Sequence, residues 1–380
     1  MSSLIVEVCA IEEILPIQDA DRIERARVKN WWCVVVKGHY QIGSKVVYVP
    51  PDSILSKDLA DRWGIAKYCS QLPKESNGER PTSLRVRASK FRGVPSFGTI
   101  QNLDDPNWEV GKDVREYYGI TKYEPPIKNS ISGGEIEKDH PFFQKYTGLE
   151  KYGDFPNVFS DGEEVIVTEK LHGTNCRIGY VLDWTDIEKE ESWSIMAGSH
   201  NNRRKEYDTK NVRSMYWMPL MTDQQLVDSE LGDPLRNMLV SIMMREKAQR
   251  SVIVFGEIFG CGVQDMQYGQ KGKSFRVFDI NVDGIYLGAD KLIEYTGDNV
   301  KMVPILYRGP FSKSKMDELV DGPTTVCNID EIKEPFKGRE GIVIKPVKEK
   351  YDSLLGGRAI LKYISADYHS RKNKNQTEDH

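Results

Sequence analysis

The chain has 380 residues, 39% hydrophobic and 29% charged, with a formal net charge of −4. This length predicts two or three domains, and the charge sum excludes neither nucleic acid nor small ligands, because a local basic groove matters more than the total. No apolar run approaches the ~20 residues needed to cross a membrane, and the start MSSLIVEVCAIEE lacks the basic stretch and cleavage site of a signal peptide. The expectation is therefore an intracellular protein, cytoplasmic or nuclear, with no membrane partner. The six cysteines, Cys9, Cys33, Cys69, Cys176, Cys261 and Cys327, are scattered without a CxxC pair. They predict reduced, mostly structural thiols rather than a zinc site or a disulfide framework.

The first part reads as short apolar strands, LIVEVCAI (4–11), ARVKNWWCVVVK (26–37), SKVVYVP (44–50) and SLRVRASKFRGVPSFGTI (83–100). Turn-rich segments separate them, LPIQDADRIE, GHYQIG and SQLPKESNGERP, a pattern that suits a small antiparallel barrel of OB type. Arg85, Arg87, Lys90 and Arg92 form a local basic excess, equally readable as a solvated strand face or a nucleic-acid contact. Residues 1–118 are expected as this domain and 119–145, rich in Pro, Gly and charge, as a linker. Residues 146–368 resume strands with helical insertions, such as the 223–250 segment, and 369–380 read as a polar tail.

The second domain places charges at the ends of, or inside, strongly apolar strands. These are VIVTEK at Lys170, SVIVFGE at Glu257, FRVFD at Asp279, REGIVIK with Glu340 and Lys345, and AILKYI around Lys362. A buried charge costs several kcal/mol unless paired, so these six need a common explanation. They could neutralise one another. Alternatively they line a cleft in which lysines face phosphates and carboxylates face a divalent cation. In KLHGTN (170–175), a lysine made nucleophilic by desolvation or neighbouring positive charge stands before Gly173, which lets backbone approach a ligand, and before Thr174 and Asn175, which can hydrogen-bond it.

KLHGTN (170–175), VFGEIFGCGVQ (254–264), FRVFDI (275–280), REGIVIKP (339–346) and RAILKY (358–363) resemble, in order, the five motifs of the covalent nucleotidyltransferase superfamily, within it the RNA ligase 2-like branch. ILPIQDADRIERARVKNWWCVVVKG and KFRGVPSFG are similar to the barrel preceding the catalytic domain in the Deinococcus and Naegleria type of RNA ligase. The resemblance implies an α+β protein, an N-terminal OB-type β-barrel followed by a nucleotidyltransferase domain of antiparallel sheets flanked by helices.

It further implies an ATP-dependent RNA ligase that works through a lysyl-AMP and uses Mg²⁺ or Mn²⁺. The substrate would be RNA or an RNA-containing nicked duplex with RNA on the 3′-OH side, bound by a monomer with no obligate protein partner. Carried over by motif, Lys170 is the nucleophile, His172 the motif histidine, Glu257 a ribose or metal-shell ligand and Phe278 the adenine stacker. Glu340 organises the metal, Lys345 and Lys362 contact phosphate, and Leu171 and Asn175 complete the nucleotide site. The fifth motif has Ile364 where the branch has a second lysine, and the arginine between the first and third motifs falls on Arg203 or Arg204, with His200 nearby. In the N-terminal barrel, Trp31, Trp32 and Phe91 are the candidate base stackers. Other readings are an mRNA guanylyltransferase or DNA ligase using the same lysine chemistry, which His172 disfavours, and a non-catalytic RNA-binding protein.

Overall fold

The computed structural model describes residues 3–74, 78–123, 134–183, 192–221 and 233–371. They fall into two compact units, 3–123 with 150–158 and 366–371 forming one, and 134–149 with 159–365 the other. Of the expected linker, residues 124–133 lie outside the described residues. So do 223–232 of the helical insertion and 372–380 of the tail.

Small antiparallel sheets build the first unit. Ile23–Val28 and Trp31–Val36 alternate half-buried and buried positions, so that Ala26, Val28, Trp31, Cys33 and Val35 share one core with Tyr48, Phe97 and Ile100. This is the period-2 pattern of a sheet with one wet face. Residues 26–37, expected as one strand, are a hairpin, and the chain reverses at Lys29, whose φ is +54°. The turn is Lys29–Asn30, two polar residues between the apolar stretches, and no glycine marks it. The hairpin Ser89–Phe91/Val94–Ser96 turns through Arg92 and Gly93, both at positive φ, as a type I′ hairpin loop requires.

Two larger sheets dominate the second unit. One runs Leu361–Ile364, Gly341–Pro346, Glu164–Lys170, Ile305–Pro310; the other runs Arg203–Arg204, Ser192–Ser199, Thr174–Asp183, Ser251–Gly260, Lys273–Val282, Ile285–Tyr286. Helix Asp233–Arg245 packs Leu235, Met238, Leu239 and Ile242 into a core with Ile178, Val252, Val254 and Ile280. That spacing of three and four residues is the stripe an amphipathic helix presents. Among the described residues, no helix is long and apolar enough to cross a membrane.

Register decides which charges can meet. Opposed residues of an antiparallel pair share a face. The pairs Lys170 with Gly341, Thr168 with Val343, Ile166 with Lys345 and Val343 with Lys362 therefore put all three lysines on one face of the first sheet. Asn175 opposes Glu257, which opposes Arg276, and these share a face of the second sheet.

Candidate active site

Lys170 ends a strand whose preceding five residues are buried, so its amine leaves the ladder beside Glu340, which immediately precedes the neighbouring strand. Its Nζ donates to Glu340 Oε1 at 2.8 Å. Burial raises the Glu340 carboxyl, but Lys170 and then His172 outweigh it and hold the group at about 2. The carboxylate thus stays charged although its side chain is only 2% exposed. His172 Nδ1 lies 3.8 Å from Glu340 Oε2, and its Nε2 lies 2.9 Å from Asp265 Oδ1. Leu171 between them is buried. Gly173 has no room for a side chain, because a Cβ there would stand 2.1 Å from the carbonyl oxygen of Ile258. The close approach expected of this glycine is to the neighbouring strand.

Glu257 is half-buried, and its carboxyl is pushed up to about 8 by burial first, with Glu340 adding and Lys170 opposing. It opposes Asn175, whose Oδ1 is buried without a hydrogen-bond partner, as is Glu340 Oε2. Buried acceptors without partners are rare in folded proteins. Near Lys170 they supply two polar atoms able to receive a nucleotide or a hydrated cation.

Further along the second sheet, register shifts by one between Phe255 and Gly256, which pair with Asp279 and Val277 and leave Phe278 as the extra residue. Bulges of this kind re-aim a side chain beside a site. The Phe278 ring stands 4.9 Å from Tyr146, edge to face, and its carbonyl accepts from Lys345 Nζ at 2.9 Å. Asp279 is completely buried and gathers three partners: Lys345 Nζ at 3.4 Å, Arg358 Nη1 at 3.0 Å and the Tyr146 hydroxyl at 2.8 Å. Arg358 also forks onto Glu349 and lies over Tyr286, 3.5 Å from the ring centre.

The structure thus links Lys170, His172 and Glu340, sets Glu257 against Asn175, and joins Phe278 to Lys345. Lys362 is buried on the lysine face, and Ile364 is buried opposite Gly341. Arg203 pairs with Glu137 at 3.1 Å and Arg204 donates to the carbonyl of Gly134, and neither has a described contact with the Lys170 cluster. Asp265, Tyr268 and Arg358 went unassigned by sequence reasoning, and Asp279, counted among the six buried charges, received no role of its own. Asp279 and Arg358 were visible within FRVFD and RAILKY, whereas the loop carrying Asp265 and Tyr268 has no periodicity to read. Among the described residues, no group of three or more His, Cys, Asp or Glu side chains is placed to hold a metal.

In the first unit, Trp31 is not available to stack on a base. It is buried, and its Nε1 donates to Asp154 Oδ1 at 2.7 Å. Trp32 is half-buried with the Arg25 guanidinium 4.4 Å from its ring centre, and Phe91 packs edge to face on Tyr68 at 5.4 Å. The basic cluster is largely tied down: Arg85 pairs with Asp52, Lys90 donates to Asp367 at 2.8 Å, and Arg92 donates to the carbonyl of Asp19 at 2.9 Å.

A family model described as RNA ligase matches residues 163–364, and an OB-fold domain model matches residues 5–103. Among solved structures, a Naegleria gruberi RNA ligase mutant with ATP and Mn is 26% identical, with TM-score 0.68, covering 96% of this chain and 98% of that one. Another mutant of the same enzyme, with AMP and Mn, is 26% identical with TM-score 0.68 and coverage of 98% and 99%. The enzyme with PPi is 27% identical with TM-score 0.68 and coverage of 96% and 98%. No curated protein matches the chain.

Proposed function

Because the chain belongs to the RNA ligase family, we propose that it uses ATP to seal 3′-OH and 5′-phosphate ends of RNA, carrying AMP covalently on Lys170. The observation that carries this reading is the Lys170 amine at a buried strand end, 2.8 Å from a carboxylate that stays charged, with Lys345 and Lys362 on the same sheet face. The Naegleria enzyme's complexes are with ATP, the substrate of such a lysine transfer, with PPi, its leaving group, and with AMP, the group that sealing releases.

Only the uncharged amine attacks, so Lys170 must first pass a proton to solvent. Its nitrogen then bonds to the α-phosphorus while the bond to the pyrophosphate oxygen breaks. Lys345 and Lys362 meet the phosphate charge that builds during attack. Phe278, re-aimed by the bulge, stacks on adenine. Glu257, protonated through most of the neutral range, suits a ribose hydroxyl better than a cation. Glu340, anionic beside Lys170, fits a divalent cation held mainly by water and phosphate. When bound, Mg²⁺ or Mn²⁺ supplies charge neutralisation on the phosphates. AMP next passes from Lys170 to the RNA 5′-phosphate oxygen, and the 3′-OH displaces it to form the phosphodiester. A nicked duplex with RNA on the 3′-OH side is the proposed substrate, gripped by the N-terminal OB-fold domain.

Incubation with labelled ATP, GTP or NAD and metal, followed by denaturation, tests the nucleotide. Label is expected from ATP alone, and Lys170→Ala abolishes it. A panel of nicked duplexes with ribose or deoxyribose on each side of the break then tests the substrate.

A further inference from the structure

The loop 261–272, which joins the strands carrying Glu257 and Phe278, folds back onto the nucleophile's turn. Three of its side chains reach 172–173. Gln264 Nε2 donates to the carbonyl of Gly173 at 3.3 Å, the Tyr268 hydroxyl accepts from the backbone N–H of His172 at 2.7 Å, and Asp265 Oδ1 meets His172 Nε2 at 2.9 Å. Tyr268 is buried, with its backbone at φ +54°. A bulky residue at positive φ is uncommon and costs conformational energy, so the surrounding contacts must hold it there. Asp265 is about a quarter exposed, so its position at the ring edge is not imposed by dense packing.

Resting on the ligase reading above, we infer that this loop is a clamp on the nucleophile's turn and that Asp265 is the positioning residue for His172. Tyr268 fixes the backbone of His172, and Asp265 fixes the imidazole's rotation by accepting from its Nε2. Nδ1 is thereby turned toward Glu340 Oε2, 3.8 Å away, while Glu340 Oε1 holds Lys170. The chain of contacts runs Asp265, His172, Glu340, Lys170. A fixed ring limits the orientations open to Glu340 and so places the attacking amine. Misplacement of a reacting group by about 1 Å costs on the order of 10²-fold in rate.

The test is a double-mutant comparison of lysyl-AMP formation in the full-length protein. Asp265→Ala is expected to lower the maximal rate of AMP transfer to Lys170 by ~10- to 100-fold, with half-saturating ATP changed less than ~2-fold. Asp265→Asn, which keeps the accepting Oδ1, recovers most of the rate. In a His172→Ala background, Asp265→Ala adds nothing, because the group it positions is gone. Equal losses in both backgrounds, or an unchanged rate with Asp265→Ala, would overturn the assignment. If Asp265→Ala loses its cooperative melt, Asp265→Ser carries the same comparison. Should the wild type itself take no label, the ligase reading fails instead. The clamp is then decided by the NMR signals of the His172 ring, expected as one ring orientation in the wild type and a mixture in Asp265→Ala. A mixture already present in the wild type contradicts it.

Discussion

Glu257 and Glu340 bear the same functional group in one buried neighbourhood, yet they are driven in opposite directions. Glu340 touches the Lys170 amine and stays anionic, whereas Glu257 has burial as its largest influence and keeps its proton to about pH 8. A carboxyl raised in the folded state stabilises the fold fully below its unfolded value, and that stability is lost as pH rises through the folded value. Metal-free protein should therefore lose on the order of a few kcal/mol between about pH 5 and pH 8 through Glu257. Glu257→Gln should flatten that fall in thermal melts at the two pH values; an unchanged slope counts against the assignment. At Gly173 the argument is steric. Gly173→Ala forces a Cβ against the Ile258 carbonyl and should cost at least ~2 kcal/mol in denaturant unfolding while suppressing AMP transfer.

At the scale of elements, the bulge at Phe278 and the Asp279 hub beside it place the Phe278 ring and Lys345 together. Removing one partner of a buried charge network leaves the others uncompensated, so Asp279→Ala should destabilise by ~3–5 kcal/mol, read from urea midpoints. Phe278→Ala should instead weaken ATP binding by ~1–3 kcal/mol, the usual value of base stacking on an aromatic ring, measured by calorimetry. Much of this was legible in the sequence, because charges at the ends of apolar strands stand out against their neighbours. Lys170, Glu257, Glu340, Lys345 and Lys362 are all visible that way. What was not legible depends on register and pairing. Nothing in FRVFDI announces that Phe278 is the extra residue, nor does the loop 261–272 reveal that Asp265 meets His172. The hairpin at Lys29–Asn30 was legible in principle, because two polar residues, one of them the turn-forming Asn30, interrupt the apolar run there.

For the whole molecule, an OB-fold domain precedes a sheet-rich ligase domain, the order that the motifs implied. The cysteines are free thiols, and Cys9, Cys33 and Cys176 are buried with their thiols pushed up by burial. A thiol-specific reagent at pH 8 should label these three only on unfolding, as peptide mass spectrometry would show, and AMP transfer should not depend on added reductant. The central claim concerns a single nitrogen. Full-length protein given ATP labelled at the α-phosphate, with Mg²⁺ or Mn²⁺, should retain one acid-labile AMP after denaturation, located by peptide mapping on Lys170. Folded protein that takes up no label, or takes it up on another side chain, would contradict the account.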